Sequence, residues 1–176
     1  MFDVKKAVSE LEPELIGLRR DFHAHPELGY QEFNTSKKVC GYLTALGLED
    51  IQTVTGTGIT AILRGTAGEG KTLLLRADMD ALPVEEKTGL PFASQNPGVM
   101  HACGHDGHTA IQLIVAKILS AHRDAFRGQI KFLFQPNEEE AGALNMINAG
   151  VLEAPHVDAA LALHLWSPIK TGRIGL

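Results

Sequence analysis

The chain has 176 residues, which is the size of one compact domain. Its composition, with 44% apolar residues, 21% charged residues, 18 glycines and 8 prolines, is ordinary for a globular protein and excludes disordered and collagen-like chains. The net charge of −5 argues against sequence-independent binding of nucleic acid, which depends on neutralising phosphates with basic side chains.

The N-terminal segment predicts a helix rather than a targeting or membrane segment. Residues 3–22 carry apolar side chains at helical spacing, and Pro13 among them predicts a kink or a short break. A signal-peptide pattern is missing, and no apolar run in the sequence is long enough to span a bilayer. The two cysteines, Cys40 and Cys103, are too few for a disulfide scaffold. We therefore expect a reduced, cytoplasmic protein with no membrane partner.

Helices and strands alternate along the rest of the chain. A second helix is expected to begin with Asn34 or Thr35 as its N-cap and to end at Gly47. The remaining pattern predicts two strands within 51–64, a strand at 71–77, a loop at 82–105, a helix at 106–121, a strand at 128–135, a helix at 140–149 and a strand at 157–165. This order is typical of an α/β fold with a mostly parallel sheet and helices on both faces.

Side chains capable of metal binding or acid–base chemistry follow each predicted strand after residue 70. They are Asp78 and Asp80 after the strand at 71–77, Glu138, Glu139 and Glu140 after the strand at 128–135, and His164 at the end of the last strand. A further group, His101, Cys103, His105 and Asp106, lies at the start of the helix at 106–121. Because ligands bind beyond the carboxyl ends of the strands in such sheets, we expect these groups to share one site.

A thiol, imidazoles and carboxylates at one edge of a sheet predict a transition-metal site. The sulfur of Cys103 disfavours magnesium and calcium and leaves zinc, manganese, cobalt or nickel, with a preference for zinc. The Cys103-Gly104-His105 spacing is not that of a zinc finger, so an open hydrolytic site is expected. In the glutamate run, one carboxylate can bind metal while its neighbour takes a proton from metal-bound water.

Several of these residues also have a purely structural interpretation. Asp106 could cap a helix, Glu140 could stabilise a helix N-terminus, and His108 could hydrogen-bond to a ligand rather than bind metal. Taken singly, the same holds for Cys103, His105, Glu139 and His164. Their placement at matching strand ends favours a common site over four separate structural roles.

Five segments of the chain resemble the M20 metallopeptidase family, specifically its amidohydrolase branch of aminoacylase-like, hippurate-hydrolase-like and auxin-conjugate-hydrolase-like enzymes. These segments are residues 18–27, 76–83, 101–108, 134–139 and 164–166, with Gly172 shortly after. They occur in the family's order across nearly the whole chain. Each motif alone is weak, but the five together are highly specific.

The resemblance implies a zinc-peptidase-like catalytic domain with two divalent transition-metal ions, drawn from Zn, Mn, Co or Ni. It implies that the metal ligands are Cys103, His105, Glu139 and His164, with Cys103 bridging the two ions. Glu138 matches the family's general base, and Asp80 resembles the aspartate that orients a ligand. Asp78 stands where other branches place a metal-binding histidine, so a ligand role for Asp78 is not implied.

The reaction implied by the resemblance is hydrolysis of the amide bond of an N-acyl amino acid by metal-activated water. The products are a carboxylic acid and a free amino acid, and the partner is this small-molecule substrate. The family's full-length form is expected to be a homodimer with a lid and dimerisation domain that is absent here. Residues 1–176 are thus expected to form the N-terminal part of the catalytic domain, binding metal but turning over substrate weakly or not at all.

Other functions are compatible with the sequence. A truncated, noncatalytic metal-binding module would keep the same donor groups without turnover. A hydrolase with Cys103 as nucleophile and a histidine as base would be insensitive to chelators. A nucleotide-binding domain is disfavoured, because the glycine-rich residues 65–70 precede a strand instead of opening a helix.

Overall fold

The computed structural model describes residues 2–175 and builds them around one five-stranded sheet. In chain order the elements are α1 (Val4–Ala24), α2 (Phe33–Ala45), β1 (Glu49–Val54), β2 (Gly58–Arg64), β3 (Thr72–Asp78), α3 (His105–Ser120), β4 (Gln129–Gln135), α4 (Ala143–Asn148) and β5 (Ala159–Ala162). Short 3₁₀ helices lie at Arg123–Ala125 and Glu138–Glu140. The predicted α/β class is confirmed, and no helix among residues 2–175 is long and apolar enough to cross a bilayer.

The strand order is β1-β2-β4-β3-β5, with β4 and β5 both parallel to β3. β1 and β2 form an antiparallel hairpin, and β2 is also antiparallel to β4, so the sheet is mixed rather than mostly parallel. The hairpin needs no crossover, because Thr55 and Gly56 take left-handed φ values of +52° and +92° and reverse the chain at once. The three strands that precede the predicted site residues remain parallel, so their carboxyl ends lie at one edge.

Helices cover both faces of the sheet, as predicted. On one face, α1, α2 and α3 pack over alternate strand residues, including Ile59, Ala77, Phe132 and Phe134. On the opposite face, Met146 of α4 packs with Leu74 and Leu133. β5 is shorter than the predicted strand at 157–165 and is exposed along its whole length at the sheet edge.

The predicted break in the first helix and the predicted N-cap of the second are wrong for identifiable reasons. α1 is continuous through Pro13, whose ring faces solvent, and the Ser9 carbonyl that loses a helical partner lies on the exposed face, where water can satisfy it. α2 begins before the predicted N-cap. Its first amides are satisfied from outside the helix, since the Glu27 carboxylate accepts hydrogen bonds from the amides of Asn34 (3.1 Å) and Thr35 (2.8 Å).

Candidate metal centre

Four segments converge beyond the carboxyl ends of the parallel strands. They are the residues after β3, the start of α3, the turn after β4 and the residues after β5. The amide of Met79 donates a 3.0 Å hydrogen bond to the carbonyl of Gln135, so the segments after β3 and β4 leave the sheet together. At α3, Gly104 takes a left-handed φ of +97° at the N-cap position, and this turn lets Cys103 and His105 approach the same edge.

His105 lies at the centre of this edge and is fully buried. Its Nδ1 donates a 2.8 Å hydrogen bond to the carbonyl of Asp80, so Nε2 carries the free lone pair. Nε2 has no hydrogen-bond partner among the described residues, yet carboxylate oxygens of Asp78, Glu138 and Glu139 lie 3.7, 3.7 and 3.8 Å from it. Ligands about 2.0–2.2 Å from one ion are separated by about 3–4 Å, so an orphan nitrogen in this setting fits a bound divalent cation.

A thiol and a second imidazole lie beside His105. The Sγ atom of Cys103 is 3.5 Å from Nε2 of His164, and Nδ1 of His164 donates a 2.7 Å hydrogen bond to the carbonyl of Leu165. The Nε2 atom of His164 is therefore free to bind metal, as in His105. Donor atoms within 4.8 Å of one another form two groups that share His105, namely Cys103, His105 and His164, and His105, Glu138 and Glu139. The structure thus brings all four predicted ligands together.

Asp78 belongs to a third group, with His105 and His108, but its two oxygens are already engaged. One oxygen accepts a 2.6 Å hydrogen bond from Nδ1 of His108, and the other accepts a 2.6 Å hydrogen bond from Arg76. Burial raises the pKa of Asp78, but His108 and Arg76 outweigh it and hold the pKa below its ordinary value. Asp78 is therefore placed as an ionised acceptor that fixes its neighbours.

Asp80 connects a histidine with the glutamate turn. One carboxylate oxygen lies 3.3 Å from Nδ1 of His105, and the other accepts a 3.1 Å hydrogen bond from the backbone amide of Glu139. Burial raises the pKa of Asp80, but the nearby His105 ring and the amides of Glu138 and Glu139 bring it below its ordinary value. Asp80 thus contacts both His105 and the turn that carries Glu139.

The turn after β4 presents the glutamates to the site. Pro136 has no amide to continue the sheet, and Asn137 takes a left-handed φ of +51°, which asparagine tolerates better than most residues. The chain then forms the 3₁₀ helix at Glu138–Glu140. The side chains of Glu138 and Glu139 are 36% and 27% exposed, so both border the donor cluster and remain accessible to a small molecule. Glu140 is in none of the donor groups found among residues 2–175.

A buried carboxylate that supports this turn was not identified from the sequence. Glu32 is fully buried at the start of α2, and it accepts hydrogen bonds from the amide of Asn137 (2.9 Å) and the hydroxyl of Thr57 (2.5 Å). Gly29 lies against the same turn, because a Cβ atom there would be 1.9 Å from the side-chain oxygen of Asn137. Glu32 lies far from the glutamate run in sequence, and no motif connects the two.

Two residues in the predicted cluster lie outside the donor groups. Asp106 does not cap α3, whose N-cap is Gly104; it faces α1, where its carboxylate contacts His23 (2.7 Å) and Arg19 (2.8 Å). His101 is buried, and this burial lowers its pKa to about 4. The sequence pattern could not separate these residues from the ligand set, because neighbouring residues at a helix start point in different directions.

The electrostatics of the cluster favour a cation. Burial, together with the nearby carboxylates of Glu139, Glu138 and Asp78, raises the pKa of the Cys103 thiol to about 11. Burial lowers the pKa of His105, but Asp80 and Asp78 outweigh it and raise the pKa above its ordinary value. Divalent cations would relieve the repulsion among these anionic groups and stabilise the thiolate.

Comparison with known proteins shows which family this chain resembles in sequence and in fold. The model of the family described as Peptidase family M20/M25/M40 matches residues 74–176. An N-acyl-L-amino acid amidohydrolase of Geobacillus stearothermophilus is 47% identical over 176 residues, covering 99% of this chain and 47% of its own. An N-acetyl-L-cysteine deacetylase of Bacillus subtilis is 46% identical over 170 residues, covering 96% of this chain and 40% of its own.

A solved structure agrees with the fold. The crystal structure of a dinuclear metal-binding peptidase of the M20 family from Bacillus subtilis has a TM-score of 0.83 and 43% sequence identity, covering 89% of this chain and 43% of that chain. The present chain therefore spans somewhat less than half the length of the proteins it matches.

Proposed function

Because the chain belongs to peptidase family M20/M25/M40, we propose that it forms the metal-binding part of a hydrolase that cleaves the amide bond of N-acyl amino acids. The products would be a carboxylic acid and a free amino acid. The observation that carries the proposal is the orphan Nε2 atom of His105, surrounded by carboxylates and next to Cys103 and His164. The two curated relatives, named for N-acyl-L-amino acids and N-acetyl-L-cysteine, support this class of substrate.

The proposed ligands of two divalent transition-metal ions are Cys103, His105, Glu139 and His164. When bound, zinc, manganese, cobalt or nickel ions supply Lewis acidity and make a neighbouring water more acidic. The dinuclear peptidase from Bacillus subtilis supports the number of ions, and the mixture of sulfur, nitrogen and oxygen donors supports a transition metal. Asp80 orients both His105 and the turn that carries Glu139.

Glu138 is the proposed general base. Its Oε2 atom is 3.7 Å from Nε2 of His105, which places it beside the ligands, and its partial exposure leaves it open to substrate. Its carboxylate accepts a proton from the attacking water and returns it to the leaving amine nitrogen. A positioned acid–base group of this kind contributes about 10²–10⁴-fold to the rate.

A direct test is to replace the matching residues of the Geobacillus stearothermophilus relative with residues 1–176 of this chain and to measure metal content and amino-acid release. We expect about two ions per chain, in keeping with co-catalytic sites, and hydrolysis of N-acyl amino acids that a chelator abolishes. Glu138→Gln should retain the metal and lose turnover. Full turnover by Glu138→Gln would overturn the role of Glu138, and turnover that persists after complete metal removal would overturn the metal mechanism.

The structure offers little support for a thiol hydrolase. A nucleophilic cysteine needs a lowered pKa, whereas the surroundings of Cys103 raise its pKa. The imidazole of His164, 3.5 Å away, presents a free Nε2, but the carboxylates around the thiol disfavour a thiolate without a cation. The same donor set serves a metal site without conflict.

A further inference from the structure

We propose, resting on the function proposed above, that His108 is a positioning residue that holds the His164 imidazole through the backbone of Leu165. The Nε2 atom of His108 accepts a 2.8 Å hydrogen bond from the amide of Leu165. The carbonyl of Leu165 in turn accepts the 2.7 Å hydrogen bond from Nδ1 of His164. One residue thus connects two imidazoles whose ring centroids lie 4.5 Å apart.

The ring of His108 is itself fixed in place. Its Nδ1 donates a 2.6 Å hydrogen bond to Asp78, and the other oxygen of Asp78 is held by Arg76. Because Nδ1 carries this proton, Nε2 of the neutral ring is unprotonated and can accept from the Leu165 amide. Asp78 therefore sets the tautomer that the connection to Leu165 requires, and this gives the carboxylate a function other than metal binding.

The segment that carries His164 needs such an attachment. β5 has only four residues, lies at the edge of the sheet, and is followed by exposed chain through residue 175. The Leu165 side chain lies against two glycines at the start of α3. A Cβ atom added to Gly107 would be 2.6 Å from Cδ1 of Leu165, and a Cβ atom added to Gly104 would be 3.5 Å from Cβ of Leu165. Side-chain packing and the His108 hydrogen bond thus tie the segment to the helix that carries His105.

Two substitutions separate the two hydrogen bonds of His108. His108→Asn keeps a polar group near the Nδ1 position, within reach of Asp78, but is too short for the Leu165 amide. His108→Gln places its side-chain oxygen near the Nε2 position and retains the acceptor for Leu165. His156→Asn, in an exposed loop away from the donor groups, is the matched control.

The first measurement is amide hydrogen exchange of Leu165 in the chelator-treated chain, and it does not depend on metal binding. We expect the Leu165 amide to exchange about tenfold faster in His108→Asn than in the unmodified chain. His108→Gln and His156→Asn should exchange as the unmodified chain does. The connection between His108 and Leu165 would be overturned if the Leu165 amide were unprotected in the unmodified chain, or if it were as well protected in His108→Asn as in the unmodified chain.

The second measurement is titration with Co²⁺, followed by the thiolate-to-cobalt charge-transfer band. We expect His108→Asn to weaken binding about tenfold, as is typical for a partner of a metal ligand, and His108→Gln to restore it. In a His164→Ala background, His108→Asn should have almost no further effect, because the two residues act through one contact. Additive losses, or equal losses in His108→Gln and His108→Asn, would show that His108 acts independently of His164 or binds the ion itself.

The two measurements also separate this inference from the proposed function. If Leu165 exchange responds to His108 as expected but the unmodified chain binds no Co²⁺, the connection stands and the proposed metal function fails. If Co²⁺ binds with a sulfur band while Leu165 exchange is indifferent to His108, the metal site stands and the role of His108 fails.

Discussion

The backbone amide of Asn137 donates a 2.9 Å hydrogen bond to the carboxylate of Glu32, which lies 105 residues earlier in the chain and is fully buried. Asn137 immediately precedes the proposed base, Glu138, and its left-handed φ starts the turn that presents it. A carboxylate that is not part of the donor cluster is therefore hydrogen-bonded to the turn from which Glu138 and Glu139 emerge. Burial raises the pKa of Glu32, and the hydrogen bonds from Thr57 and Asn137 lower it only in part.

Replacing Glu32 should distinguish its shape from its charge. Glu32→Gln keeps an acceptor for Asn137, and the Thr57 hydroxyl can rotate to accept instead of donate, so we expect a change of about 1 kcal/mol or less in the free energy of unfolding. Glu32→Ala leaves both partners unsatisfied around a cavity and should cost about 3 kcal/mol. Urea unfolding at neutral pH measures both values.

The pH dependence gives Glu32 a second test. A carboxyl whose folded pKa lies above its unfolded value binds more protons in the folded state, so the chain loses stability as pH rises from the ordinary glutamate range through the folded pKa. Glu32→Gln removes this titration, and its stability relative to the unmodified chain should improve over that interval. A parallel pH dependence in the two proteins would contradict the raised pKa.

Metal binding should stabilise the fold through His105. Each zinc site filled at about 100 times its dissociation constant adds about 2.7 kcal/mol to the free energy of unfolding of a chain that binds the ion only when folded. We expect this increment in the unmodified chain and in His156→Ala, an exposed control, and its loss in His105→Ala, because His105 belongs to every donor group found among the described residues. Since the increment is measured within each variant, a change in intrinsic stability does not obscure it. A full increment in His105→Ala would place the zinc elsewhere.

The reactivity of Cys103 should report the acidic character of the site. In a Cys40→Ala background treated with chelator, we expect alkylation of Cys103 by iodoacetamide to be slow at pH 7 and to rise about tenfold per pH unit toward its pKa of about 11. Glu139→Gln removes one of the carboxylates that raise this pKa and should increase the rate at pH 8. A rate that reaches its plateau below pH 8 would favour the thiol-hydrolase alternative.

The sequence predicted the site more completely than it predicted the sheet. The convergence of Cys103, His105, Glu139 and His164 could be expected because β3, β4 and β5 are parallel and deliver their carboxyl ends to one edge, whereas their role as ligands is implied by the family resemblance. The directions of β1 and β2 depend on the turn at Thr55 and Gly56, and an apolar pattern carries no information about strand direction.

The supporting residues could not be predicted in the same way. Glu32 acts on a turn 105 residues away that only the tertiary fold brings near it. Glu27 lies seven and eight residues before Asn34 and Thr35, and its carboxylate replaces the N-cap that local sequence predicts at one of those two residues. Local patterns therefore locate the donors at strand ends, whereas the contacts that hold those donors in place depend on packing between distant segments.

A three-helix contact far from the metal centre provides a stability prediction of the opposite sign. Glu14 of α1 accepts hydrogen bonds from Lys117 of α3 (2.6 Å) and from the Tyr42 hydroxyl of α2 (2.7 Å). Lys117 first, and then Tyr42, lower the pKa of Glu14, so the stabilisation is present above the ordinary glutamate pKa and is lost as pH falls through the folded pKa. Because Glu14 and Lys117 are 34% and 37% exposed, water screens the pair, and we expect Glu14→Gln to cost about 1 kcal/mol or less at pH 7. In urea unfolding, the difference in the free energy of unfolding between Glu14→Gln and the unmodified chain should shrink as the pH falls toward 3. As a control, Glu10→Gln removes the far more exposed Lys6–Glu10 pair and should change the stability little at either pH. An equal loss at both pH values would assign the effect of Glu14→Gln to packing rather than to the ionised carboxylate.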